Sequence, residues 1–315
     1  MINGTFRSVS FYVFVRLILI RCLILTLPGG PGADTTLLGS TQYGPFLDRT
    51  SDPLTPERGQ QYKRRAGAAQ GIGKAIAIRL AADGLAVVVC DIPAKQSLLD
   101  AVCEEIKSSH PEVPALAIAT DVSLEKDVTT LVDETVAKLG GLDVMVANAG
   151  ICWMAPILDT TIEDIDKMFS VNLRGTVLCY KAAAKVMIDQ KRGGRIIGAS
   201  SNAGKKGFPM MSTYGATKAA IRVLTQSAAA EFGSHGITVN AYAPGAIITP
   251  MILGLAEQTA KYTTAPSAES YVAQTSVKRI GDPVDVANLV SFLASEQSGY
   301  ISGQTVTIDG GVWFD

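Results

Sequence analysis

Tyr214 and Lys218, four positions apart, carry the sharpest chemical signal in this 315-residue chain. In a helix, side chains at i and i+4 share one face. A free phenol has a pKa near ~10 and transfers protons poorly at neutral pH, but a neighbouring ammonium favours the phenolate and pulls that value toward the working range. Such a pair is a general acid/base that needs no histidine. The chain holds only His110 and His235, and neither stands near another reactive group in sequence. Ser201, the second of a serine pair, precedes the tyrosine by thirteen positions. Its hydroxyl is suited to orienting and polarising a carbonyl while the tyrosine supplies a proton. The same Tyr/Lys spacing also arises by chance on a solvated helix face. The elements upstream decide between the two.

Gly67-Ala68-Ala69-Gln70-Gly71-Ile72-Gly73 opens a run of helical periodicity over 74–83 that stops at Gly84. Glycines at 67, 71 and 73 let the backbone turn tightly and approach a pyrophosphate, whose charge a helix N-terminus favours. The apolar run 86–90 then ends in Asp91, as a strand buried on both faces of a parallel sheet does. A carboxylate there accepts hydrogen bonds from ribose hydroxyls and repels a 2′-phosphate, so the expected cofactor is NAD(H) in preference to NADP(H). Gln70, where a basic residue would help a phosphate, agrees. The pattern repeats with an apolar run over 115–120 ending in Asp121, a helical stretch near 124–139, and a run over 142–147 ending in Asn148-Ala149-Gly150. A helix with Asn172, a strand ending in Ser201, the helix of Tyr214 and a strand ending in Pro244-Gly245 follow. This alternation predicts one α/β domain with a doubly wound, Rossmann-type parallel sheet. Asp91, Asp121, Asn148, Ser201 and Pro244 all fall at carboxyl ends of strands, where such sheets bind ligands.

On these motifs, residues 66–315 resemble a short-chain dehydrogenase/reductase: Gly67-x-x-x-Gly71-Ile72-Gly73, Asp121, Asn148-Ala149-Gly150, Asn172, Ser201, Tyr214-x-x-x-Lys218, Pro244-Gly245 with Thr249, and Ile308-Asp309-Gly310-Gly311. The resemblance implies a catalytic tetrad of Asn172, Ser201, Tyr214 and Lys218. It also implies a nicotinamide cofactor held by Gly67, Gln70, Gly71, Ile72, Gly73, Asp91, Asp121, Val122, Asn148, Ala149, Gly150, Tyr214, Lys218, Pro244, Gly245, Ile247 and Thr249. Asp121 would lie near the adenine, Asn148 beside the ribose, and Ile247 and Thr249 at the carboxamide. A homo-oligomer, tetramer or dimer, is implied as well. Within the family, the Ser-to-Tyr wording and the C-terminal ending most resemble diacetyl and acetoin reductases that also act as 2,3-butanediol dehydrogenases.

Each role has a plainer alternative. Asn172 would keep its helix locally open and hold a water linking Lys218 to solvent, or it is a buried, satisfied amide. Ser201 could cap a turn, and Asp121 and Asn148 could simply terminate strands. A serine nucleophile of hydrolase type does not fit, because no Gly-x-Ser-x-Gly elbow surrounds Ser201. Substrate contacts are expected from 151–156, 205–213 and 247–279, with Ser201, Cys152, Trp153 and Phe208 as the named candidates. Their apolar company, Met154, Met210 and Met211, suits a small, mostly uncharged carbonyl, or else packing at a subunit contact. Residues 250–277 mix apolar, polar and small side chains as a lid over a cleft would.

Composition bounds the rest. With 47% hydrophobic and 18% charged residues and a net charge of −1, the chain suits a globular enzyme and has no attraction for nucleic acid. The five cysteines form no Cys-x-x-Cys pair and read as free core thiols in a reducing, cytoplasmic compartment, without a metal cluster.

The first 65 residues depart from this order. The slot for the central strand before the glycine turn reads Glu57 to Ala66, with three consecutive cations, Lys63, Arg64 and Arg65. Burying those unpaired in a sheet is costly. Further back lie an apolar segment, 11–27, and a Gly/Pro/Thr-rich linker, 28–56. A membrane anchor through 11–27 is one account, although Arg16 and Arg21 interrupt a run already short of the ~20 residues a spanning helix needs. A replacement strand drawn from 11–27 is a second. The expected account is an N-terminal extension, 1–65, outside the core, produced by a reading frame or exon boundary foreign to the functional protein. Two function classes follow: an NADH-dependent ketone reductase or secondary-alcohol dehydrogenase, and a non-catalytic NAD-binding or oligomer-scaffold protein with a defective first strand. Peptide mass spectrometry of the natural protein is expected to find no peptides from 29–58, and their abundance would overturn the foreign-boundary account.

Overall fold

The computed structural model describes residues 15–16, 18–20, 23–24, 71–259, 262 and 268–314. Gly67, Gln70, Cys22, the linker 28–56 and the charged stretch 57–66 lie outside the described residues. In chain order come β1 (Val15–Arg16), β2 (Ile18–Ile20), β3 (Leu23–Ile24), α1 (Gly71–Ala82), β4 (Leu85–Cys90), α2 (Gln96–Ser109), β5 (Ala115–Ala117), α3 (Glu125–Leu139) and β6 (Val144–Ala147). Then follow α4 (Ile162–Phe169), α5 (Gly175–Gln190), β7 (Gly194–Ala199), α6 (Ser212–Phe232), β8 (Ile237–Pro244), α7 (Pro250–Thr259), α8 (Ala268–Gln274), α9 (Pro283–Ala294) and β9 (Thr305–Ile308).

The strands form one sheet in the order β1-β4-β2-β6-β7-β8-β9, with β5 on β4 and β3 on β2; every described pairing is parallel except β2 with β3. The fold is thus the doubly wound α/β sheet expected from the sequence. β4 shows how the sequence builds it. All six of its residues are buried, and a strand sends successive side chains to opposite faces. Val87 and Val89 join Leu80, Ile106 and Val290 from α1, α2 and α9 on one face. Ala86, Val88 and Cys90 join Leu131, Ala183 and Met187 from α3 and α5 on the other. Two helical layers therefore sandwich the sheet, and each fully buried Leu, Ile or Val contributes about 1.5–3 kcal/mol.

The helix ends are held locally. Asp282 and Asp285 form a capping box at the start of α9, and Arg279 grips Asp285 with two hydrogen bonds of 2.6 and 2.8 Å. Thr161 caps α4, accepting from the Asp164 N–H at 3.1 Å. Cys90, Cys103, Cys152 and Cys179 are buried, and among the described residues none of them is in a disulfide. Among the described residues, no helix is long and apolar enough to cross a membrane.

β1 and β2 run along β4 in one continuous register, from Val15 opposite Leu85 to Ile20 opposite Cys90, and Ile18 also faces Met145 of β6. Residues 18–20 thus lie between two strands whose side chains are buried throughout. A proline there cannot donate to the ladder on either side. Leu19→Pro is expected to cost about 3 kcal/mol or more and to lower Tm clearly in a thermal melt. An unchanged Tm would show that residues 18–20 do not hold this place in solution.

Candidate active site

α6 starts immediately before the tyrosine, so Tyr214 and Lys218 project from its first two turns toward the carboxyl ends of β6, β7 and β8. Lys218 is only 3% exposed. Its Nζ donates to the Ala199 carbonyl, at the end of β7, at 2.7 Å and stands 5.6 Å from the centre of the Tyr214 ring. Ser200 Oγ donates back to the Lys218 carbonyl at 2.8 Å. Gly150 faces this lysine closely: a Cβ there would lie 3.3 Å from Lys218 Nζ and 3.5 Å from Asn172 Oδ1.

Ser201 follows Ser200 and does two things. Its hydroxyl accepts from the Ala203 N–H at 3.2 Å, capping the short turn Asn202–Gly204, and it hydrogen-bonds the Tyr214 phenol. Tyr214 is half-buried. Burial pushes the phenol above its ordinary pKa, the nearby Cys152 adds to that, and the Ser201 hydrogen bond only partly offsets it. The shift is upward, opposite to the expectation from the Tyr/Lys spacing, because burial dominates. Burial likewise raises the Cys152 thiol to about 12, against a smaller opposing pull from Lys218.

Asn172 lies fully buried in a π-helical turn, Ser170–Arg174, inserted between α4 and α5. The helix is locally widened there, as expected, and the amide is also fully engaged. Its Oδ1 accepts from Ile151 N–H at 2.8 Å, and its Nδ2 donates to Ile151 O at 2.9 Å and Thr217 Oγ1 at 3.1 Å. Thr217 in turn donates to the Tyr214 carbonyl at 2.7 Å.

Two cavities open at the strand ends. The first, about 910 Å³ with its opening included, is lined by Gly71, Ile72, Gly73, Asp91, Asn148, Gly150, Tyr214, Lys218, Pro244 and Thr249. The second, about 1210 Å³ on the same basis, takes Cys152, Ser201, Phe208, Gly245 and Ile247, and shares Ile72, Tyr214, Pro244, Thr249 and Met251 with the first. Other expected site residues stand apart. Asp121 accepts from the Ser123 N–H and Oγ at 2.9 and 2.7 Å. Burial works against its charge, but these bonds, with Lys167 and Arg174, hold it below the usual carboxylate range. It lies four residues past the end of β5 and, like Val122, lines neither cavity. Ala149 is core, 4% exposed. Trp153 lines a separate groove with Met168, Met210 and Tyr262.

The residue pattern did not reveal Tyr242, whose phenol donates to Asn148 Oδ1 at 2.6 Å and fixes that amide at the cavity wall. Tyr271 of α8, in the second cavity, also escaped notice. Its one sequence signal is an aromatic with a polar tip inside an otherwise unpatterned stretch.

The first cavity has the chemistry of a dinucleotide site. The N-terminal turn of α1 opens onto it, with backbone N–H groups that lack intrahelical partners. Asp91, 3% exposed and directly after β4, also lines it. A family model described as enoyl-(acyl carrier protein) reductase matches residues 67–313. A short-chain dehydrogenase/reductase of Armillaria gallica is 48% identical over 259 residues, covering 79% of this chain and 94% of its own. A diacetyl reductase [(S)-acetoin forming] of Staphylococcus epidermidis is 42% identical over 250 residues, covering 78% and 96%. Among solved structures, ElxO with NADP bound aligns with a TM-score of 0.68 at 33% identity, over 78% of this chain and 96% of that one. The chain belongs to the short-chain dehydrogenase/reductase family of oxidoreductases, enzymes that use a nicotinamide cofactor.

The buried Cys152 thiol makes stability depend on alkaline pH. Its folded pKa of about 12 lies above the unfolded value, so its contribution is complete below pH ~8.5 and is lost as pH rises toward 12. Urea unfolding between pH 7 and 11 is expected to show wild type losing more stability than Cys152→Ala, by about 1.4 kcal/mol per pH unit above the unfolded pKa. Parallel curves would show that this thiol is not enclosed.

Proposed function

We propose that the chain reduces a small ketone of the diacetyl/acetoin type to a secondary alcohol with NADH, and catalyses the reverse oxidation, with Tyr214 as general acid/base. The observation that carries this reading is that Tyr214 lines both cavities. A group there stands between a cofactor in one and a carbonyl in the other. NADH bound in the first cavity would supply a hydride and would be held by the α1 N-terminus with Gly71, Ile72 and Gly73, by Asp91, Asn148 and Gly150, and by Pro244 and Thr249, with Gly245 and Ile247 beside it on the wall of the second cavity.

The chain's own groups handle the carbonyl oxygen and its proton. Ser201 donates a hydrogen bond to the oxygen, and Tyr214, kept neutral by burial, donates the proton as charge develops there. Lys218 and Asn172 position the tyrosine. The buried Asp91 carboxylate supports NAD(H) over NADP(H), since a 2′-phosphate beside it would set two anions together. The four-carbon substrate class is suggested by the diacetyl reductase relative. A second reading, a reductase of a bulkier ketone, is favoured by the apolar lining of the second cavity, with Phe208, Ile247, Leu255 and Val312. The apolar faces of Ile162, Phe169 and Val177, left exposed on α4 and α5, support a homo-oligomer.

The test is a ketone panel from diacetyl and acetoin to aromatic ketones with NADH and NADPH, followed at the nicotinamide absorbance. Wild type is expected to turn over diacetyl with NADH. Tyr214→Phe should lose about 10²- to 10⁴-fold in kcat while still binding NADH. Equal turnover by the two removes the mechanism, and NADH binding without turnover of any ketone supports a non-catalytic role. Asp91→Ser is expected to shift preference toward NADPH by at least about tenfold, and an unchanged cofactor ratio would remove Asp91 from that role.

A further inference from the structure

The second cavity is closed on one side by the C-terminal end of the chain, through Val312. That end is built as a rigid loop. The Asp309 carboxylate, 8% exposed, accepts from the N–H groups of Gly311, Val312 and Trp313 at 3.0, 3.2 and 3.0 Å. Gly310 and Gly311 have φ of 70° and 77°, left-handed values that favour glycine. A Cβ on Gly310 would fall 2.8 Å from Val277 Cγ2, and one on Gly311 2.8 Å from Ser276 Oγ. Ser276 N–H and Oγ donate to the Gly310 and Gly311 carbonyls at 2.8 and 2.9 Å, fastening the loop to the segment after α8.

The opposite side of the loop meets the segment after β7. Lys206 Nζ lies 4.9 Å from the Trp313 ring centre and 5.9 Å from that of Phe208. Both distances fall within the range at which an ammonium is held by a ring face. The neighbouring Lys205 Nζ donates to Thr307 Oγ1 of β9 at 2.7 Å. Phe208 itself lines the cavity. The cation therefore joins two cavity walls that are about a hundred positions apart in sequence.

We propose that residues 309–313 form a clasp, closed by Lys206 between Phe208 and Trp313, that sets the width of the second cavity and makes Val312, Trp313 and Lys206 specificity-determining positions for the carbonyl substrate. The proposal rests on reading that cavity as the carbonyl site. Lys206 touches neither the tyrosine nor the first cavity, so it acts on substrate fit and leaves proton transfer alone. With the clasp closed, Phe208 and Val312 face a short ketone from two sides. With it open, the wall at Phe208 yields and longer ketones enter.

The experiment compares wild type, Lys206→Met, Lys206→Arg and Trp313→Leu with diacetyl, 2,3-pentanedione, 2,3-hexanedione and 1-phenyl-1,2-propanedione. Lys206→Met keeps the aliphatic stem and removes the charge. For that variant and Trp313→Leu, the KM for diacetyl is expected to rise about fivefold with kcat little changed, and preference to shift toward the longer diketones. Lys206→Arg, which keeps a cation over the rings, should restore the wild-type ratio. An unchanged ratio of kcat/KM across the series in both variants overturns the clasp. Hydrogen exchange of the 205–211 amides decides the matter without turnover: faster exchange in Lys206→Met supports it, and equal exchange overturns it. If wild type reduces none of the four ketones, the reading of the cavity fails, and the exchange result still decides whether the clasp exists.

Discussion

A buried ammonium fixes the site. Lys218 lies almost fully inside the protein, where an uncompensated charge costs several kcal/mol. The fold answers with the Ala199 carbonyl at 2.7 Å, at the end of a strand whose own position is set by β6 and β8 on either side. That contact fixes the register of α6. Rotating the helix by one residue, roughly 100°, would carry the ammonium off its carbonyl and Tyr214 off both cavities. The surroundings are shaped to the same end. Ser200 ties the strand end to the Lys218 carbonyl, and at Gly204 a Cβ would fall 2.6 Å from the Lys218 backbone. Only a side chain as small as glycine's lets the turn after β7 close against the helix.

A second strap runs through Asn172. Its amide clamps both backbone groups of Ile151 and reaches Thr217, whose hydroxyl holds the Tyr214 carbonyl. The loop after β6, the π-turn and the first turn of α6 are thus tied together. A π-turn places one residue more per hydrogen-bonded ring than an α-helix does. Here that widening falls at the residue whose side chain must reach two other elements. Asn172 thus connects to Tyr214 through Thr217 and the Tyr214 backbone carbonyl.

Much of this was legible in the sequence, and the reasons are physical. β4, β6 and β8 are buried on both faces, so their apolar runs carry no competing pattern and mark the strands within a residue or two. Asp91, Asn148 and Pro244 close such runs and line the first cavity. Asp121 closes one as well, but its carboxylate is consumed by Ser123 two residues on, a local bond that residue order at a strand end does not separate from ligand binding. Trp153 sits next to a cavity residue and faces another groove, because in an irregular segment neighbouring side chains share no period. Long-range partners such as Tyr242 with Asn148, or Lys206 with Trp313, have no signature in spacing. The upward shift of Tyr214 was equally hidden: i,i+4 spacing tells of the lysine's presence but not that its Nζ is turned onto a carbonyl, nor how deeply the phenol is enclosed.

That enclosure bears on direction in the proposed reaction. A proton donor must carry its proton when the carbonyl oxygen gains charge, and burial keeps Tyr214 in that form across the neutral range. The reverse oxidation asks the same group to accept a proton, and so to exist first as a phenolate, the form that burial disfavours. Ser201 moderates the bias, since its hydrogen bond favours the charged form. On the proposed mechanism, burial therefore favours the acid form of Tyr214 over its base form. In that reading the balance lies in two side chains, Tyr214 and Ser201, that converge on the second cavity from α6 and the end of β7.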